Sequence, residues 1–173
     1  MSAHASFYLA KQDYIPLLSG LAKCTLTLGQ WMSLEDSLNL HADTVKDFET
    51  NFPFEYAYEL EAYNWSGYIM ADLHAFLASH SLHLDDYIDK EISDYLAEAQ
   101  EGLVLVFRHE GARQLTDAIK AVRLDTTTSL DFVRNRFQTE HREVLHAFQD
   151  AVSIMQVWLA QVDREHMGIL VVR

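Results

Sequence analysis

Two short runs of unbroken apolar residues, Leu103–Phe107 (LVLVF) and Gly168–Val172 (GILVV), constrain this chain more than any other feature. Half-exposed strands alternate apolar with polar residues, whereas a run with no polar position is buried on both faces. Both runs are shorter than an ordinary helix, so they read as strands inside a sheet that is covered on both sides. About 60 residues of helical pattern separate them, a spacing that permits a parallel pair joined by a crossover. The segment ASFYLA, residues 5–10, is short, apolar and aromatic, and reads as a third strand. In CTLTLG, Cys24, Leu26 and Leu28 alternate with threonines, which predicts a weaker fourth strand over 24–28.

The rest of the chain is mostly helical in pattern. Tyr14, Leu17, Leu18 and Leu21 mark a helix from about Gln12 to Ala22. Ser33 and Asp36 have the spacing of a capping box, and Asp43 is placed to cap a second helix after it. Leu84, Ile88, Ile92, Tyr95, Leu96 and Ala99 line one face of a helix that Gly102 ends, and another follows from about Ala112 to Val122. Val133, Phe137, Val144, Phe148, Ala151, Met155, Trp158 and Val162 form one stripe, predicting a long helix from about Ser129 to His166.

Residues 54–62 carry two competing patterns. Phe54, Tyr56, Tyr58 and Leu60 alternate as a half-buried strand would. Phe54, Tyr58, Ala62, Trp65, Ile69, Leu73 and Phe76 step by three and four, with Pro53 suited to a first helical position. The helix accounts for more residues with one pattern and is the expectation. The chain is therefore read as one α+β domain spanning 1–173, helix-rich, with a small three- or four-stranded sheet (about 5–10, 24–28, 103–107 and 168–172) covered by helices.

Composition then narrows the function classes. A hydrophobic fraction of 49% suits a folded domain able to bury a real core. One cysteine, Cys24, excludes an intrachain disulfide and suits a reducing compartment. The N-terminal MSAHASFYLA has no basic stretch before its apolar residues, which argues against a secretory signal, and no apolar run approaches the ~20 residues a bilayer requires. A cytoplasmic protein with no membrane partner is expected. Thirteen Lys+Arg against 26 Asp+Glu give a net charge of −13. That field repels phosphate backbones, so no nucleic-acid partner is expected, and it steers basic proteins inward. Acidity alone also serves solubility. Self-association into a homo-oligomer stays open.

Several clusters carry chemistry worth following. Glu143 and His146 have the Glu-x-x-His spacing of a di-metal bundle, but both fall off the apolar stripe, roughly 100° and 160° from its centre. No second such pair faces them, so they read as a solvated face. Glu140 flanks the same stripe, where a carboxylate needs a partner such as an arginine or a pocket that raises its pKa. His80, His83 and Asp85, with Asp86, offer metal-ligand types, although aspartates at a helix start also answer its dipole, with Ser81 as cap. No metal and no cofactor is expected.

Arg108, His109, Glu110 and Arg113 follow the LVLVF run, at the carboxyl end of a strand. Ligands gather at such ends, where His109 with Glu110 supplies acid–base groups and two arginines clamp an anion. Within 54–63, a helix would send Tyr58 inward and present Tyr56, Glu59 and Tyr63 outward, beside Glu55 and Glu61. Exposed tyrosines among carboxylates are anchors for a basic protein. The expected function is a small acidic protein-binding module that engages a basic partner, like an immunity protein, inhibitor or chaperone in charge and size alone. The alternative is an enzyme with its site at the carboxyl end of the 103–107 strand.

Overall fold

The computed structural model describes residues 3–40, 42, 44–60, 65–122, 124–138 and 142–173, and places an antiparallel sheet between two layers of helices. Its strands are β1 (His4–Lys11), β2 (Ala57–Glu59), β3 (Trp65–Ser66), β4 (Leu103–Phe107) and β5 (His166–Val172). The order is β2-β1-β5-β4, with β3 paired to the start of β1. On one face lie α1 (Ile15–Ala22), α2 (Leu28–Leu38), α3 (Val45–Asn51) and α5 (Lys90–Gln100). On the other lie α4 (Gly67–Ser79), α6 (His109–Ala121), α7 (Thr126–Phe137) and α8 (Arg142–Leu159).

The two layers explain the unbroken runs. Alternate residues of a strand face opposite sides, so Phe7, Phe107, Leu170 and Val172 enter one core, and Tyr8, Val106, Ile169 and Val171 enter the other. Phe7 stacks on Trp158 of α8 with ring centroids 5.3 Å apart. Gly168 makes room for this packing, because a Cβ there would collide with the Phe7 ring and lie 2.6 Å from Val162 Cγ2. Among the described residues no helix is long and apolar enough to cross a membrane.

β4 and β5 run antiparallel, with Phe107 opposite Gly168 and Leu103 opposite Val172, not as the parallel crossover pair their spacing also permits. The reason lies in the helices between them. The start of α6 and the end of α8 lie together, His109 Nδ1 bonding the Val162 carbonyl at 3.2 Å. The chain therefore enters β5 at the end where it left β4.

Five other expectations are corrected. Residues 24–27 form a turn and cap rather than a strand. Cys24 has a left-handed backbone (φ 51°) and is exposed, and Thr27 caps α2 in a capping box with Gln30. That box displaces the one expected at Ser33 and Asp36, which lie inside α2. Thr44, not Asp43, caps α3, and Asp43 lies outside the described residues. The helix expected from Pro53 gives way to turns, β2 and β3 before α4 starts at Gly67. The helix expected from about Ser129 to His166 is two helices. α7 stops at Gln138, which is left-handed (φ 51°), and α8 ends at Leu159, ahead of β5. Glu143 and His146 are exposed on α8.

The two sheet edges differ. The outer edge of β4 is met at Val106 by the start of α5: Ser93 Oγ accepts the Val106 N–H (2.9 Å), and the Asp89 N–H donates to the Val106 carbonyl (2.8 Å). Among the described residues no strand covers the outer side of β2.

Candidate functional site

At the β2 edge, register and turn geometry decide which side chains reach solvent. Ala57, Tyr58 and Glu59 pair with Ala10, Leu9 and Tyr8. Tyr56, in the turn before β2, is half-buried and packs its ring against Tyr14, Phe48 and Phe52, with centroids 5.1–6.3 Å away. Tyr58 instead stands 53% exposed, with Glu59 and Glu55 also exposed. The helix-based expectation that Tyr56 faces out and Tyr58 in is thus reversed, because a turn and strand replace the helix. Glu61 and Tyr63 lie outside the described residues.

An open cleft of about 340 Å³ runs beside this edge, with Lys11, Asn39, Glu55, Tyr56, Tyr58 and His166 on its walls. His166 meets the Tyr58 ring edge-on at 6.1 Å, and its Nδ1 lies 3.0 Å from Asp163 Oδ1. Burial and the nearby Glu59 carboxylate push the Tyr8 phenol above its ordinary value, as burial, Tyr56 and Asp13 do for Tyr14. Tyr14 is a neutral group on the cleft wall. Arg173 lies over the Phe54 ring, 4.2 Å from its centre.

The carboxyl end of β4 holds a second cleft, of about 440 Å³, between the first turns of α5 and α6. Arg108 lines it, and its guanidinium is held by Asp89: Nε lies 2.6 Å from Oδ2, with Nη2 on the same oxygen. Asp89 also caps α5 by accepting the Ile92 N–H. Glu110 shares the cleft and accepts from Gln114 Nε2 at 3.3 Å. His109 and Arg113 open onto a different cleft, of about 240 Å³, with Asp117 and Lys120. The structure therefore brings Arg108 and Glu110 together and sends His109 and Arg113 elsewhere. Glu140 lies outside the described residues.

His80 is engaged by the protein itself. Its Nδ1 lies 3.0 Å from the Phe76 carbonyl and its Nε2 3.0 Å from the fully buried Ser129 hydroxyl. His83 and Asp85 are exposed, Asp85 in a one-turn 3-10 helix before Asp89 opens α5, so Ser81 caps no helix there. Among the described residues no group of three or more His, Cys, Asp or Glu gathers around a metal-sized space.

Sequence reasoning missed Tyr58, His166, Asp86 and Lys90 as cleft residues. The alternation of residues 54–60 was the available signal for Tyr58. The others come together only through the tertiary fold. No family model matches the chain, and neither a curated protein nor a solved structure is similar to it.

Proposed function

We propose that the protein is a protein-binding module that takes a basic partner along the open outer edge of β2. The observation that carries this reading is Tyr58, half exposed on a short edge strand, with Glu55 and Glu59 exposed around it and a cleft alongside. An extended segment adds to such an edge by backbone pairing, while alternate side chains give specificity. Its lysines or arginines reach Glu55 and Glu59, and one lies over the Tyr58 ring. The net charge of −13 speeds the encounter at low salt. The contrast with β4 supports the same surface: its outer edge is met at Val106 by α5, whereas among the described residues no strand covers the short, acidic β2. The cytoplasm suits a chain with one exposed, unpaired cysteine. In role this resembles immunity proteins, inhibitors or chaperones, a likeness of charge and size.

The test is capture at low salt from the native cells, followed by reconstitution with the purified partner and with the Glu55→Lys, Tyr58→Ser, Glu59→Lys triple variant. Loss of the partner from the triple variant is expected. Equal binding by both proteins removes this surface.

A further inference from the structure

We infer that the cleft between α5 and α6 binds a free basic amino acid, a small molecule joining a carboxylate to more than one cationic group. This goes beyond the β2 reading and involves different residues. At about 440 Å³ the cleft lies within the range of small-molecule sites.

Its charged walls are Lys90 and Arg108 against Asp86, Asp89 and Glu110; Arg108 pairs with Asp89 and Lys90 with Asp94, so Asp86 and Glu110 are left in excess. Two ion pairs organise this set. Asp89 fixes Arg108, using Nε and Nη2, and leaves the other guanidinium N–H groups for a ligand carboxylate. Lys90 reaches Asp94 at 3.5 Å on a well-exposed surface, so its charge is already met outside the ligand's groups. Asp86 and Glu110 are exposed, and among the described residues neither is in an ion pair.

Charge decides the ligand class. A phosphate or dicarboxylate adds negative charge to a cleft already net negative. A simple cation ignores Arg108. A neutral zwitterion leaves one carboxylate uncompensated. A basic amino acid matches the set group by group, with its carboxylate on Arg108 and its two cations on Asp86 and Glu110. The half-buried Tyr87 supplies a wall for its aliphatic stem. The pocket's two walls are also closely packed. A Cβ on Gly111 would collide with the Tyr87 carbonyl, so α6 sits directly on the turn that carries Asp86.

The experiment is a titration of the isotope-labelled full chain with L-arginine, followed by the backbone amide resonances of Tyr87, Lys90 and Gly111. Agmatine, which lacks the carboxylate, and L-glutamate, which lacks the basic side chain, are the comparison probes. Saturable shifts at these amides are expected, with half-saturation near or below about 1 mM and weaker binding of both comparison probes. Asp86→Asn and Glu110→Gln are each expected to weaken arginine binding about two- to fivefold while the far-ultraviolet spectrum stays unchanged. Both positions are exposed, so they keep the test clean where Arg108→Gln would strip Asp89 of its partner. Any of three results overturns the assignment: no saturable shift below about 10 mM, agmatine or glutamate binding as tightly as arginine, or full affinity in both carboxylate variants.

Discussion

The Ser129 hydroxyl lies 3.0 Å from His80 Nε2, fastening the end of α4 to the first turns of α7. The Phe76 carbonyl accepts from Nδ1–H, which leaves Nε2 to accept from the serine. Ser129 is fully buried, so its removal orphans a ring nitrogen. Ser129→Ala is expected to cost about 1–3 kcal/mol in urea unfolding. An unchanged midpoint would show that the contact carries no weight.

Gly168 is expected to tolerate no side chain. Ala at 168 drives its Cβ into the Phe7 ring and Val162, both held in the core between β1 and α8. Overpacking of this kind costs about 1–3 kcal/mol, with Val worse than Ala. Denaturant midpoints of the two variants check the order.

Asp163 gives a pH-dependent prediction. Backbone N–H groups of Glu165 and His166 donate to its carboxylate, and these bonds, then that from the His166 ring, hold its pKa below the ordinary 3.8. A depressed carboxylate contributes stability above its unfolded value and loses it as pH falls through the folded one. Asp163→Asn should therefore lower the melting temperature at pH 7, and the gap to wild type should shrink by pH 3. A gap that stays constant would contradict this.

Tyr95 predicts the opposite limb. Burial, then its hydrogen bond to Glu49 and that carboxylate's charge, push its phenol well above 10.0. A raised pKa contributes stability below pH 10 and loses it as pH rises through the folded value. Ultraviolet titration should show one tyrosine ionising last, and Tyr95→Phe should unfold with less pH dependence above pH 10.

What the sequence disclosed follows the range of each signal. LVLVF and GILVV were legible as strands buried on both faces because every position is apolar, and both faces are indeed covered. Their direction was not legible, because it depends on where α8 ends relative to α6. The false strand at 24–28 arose from an accident of spacing: Leu26 packs against the core, while Leu28 opens α2 and stands exposed. Thr27 with Gln30 was the better local signal, a capping box with a spacing of three. The stripe through Val133 and Val144 kept helical spacing across a break that one left-handed residue, Gln138, introduces. Among the site residues, Glu55 and Glu59 emerged because glutamate on a surface needs no tertiary explanation. Tyr56 and Tyr58 exchanged roles, since a strand in place of a helix reassigns the face of each residue. The pairing of Arg108 with Asp89, 19 residues apart, left no sequence pattern at all.

The most direct test of the protein-binding account is the salt dependence of partner affinity, measured in parallel for the wild type and for a Glu55→Lys, Glu59→Lys double variant. The account predicts that wild-type affinity falls steeply as salt rises, and that the double variant binds about tenfold more weakly at low salt, with a flatter slope. Identical affinities and slopes for the two proteins would contradict it.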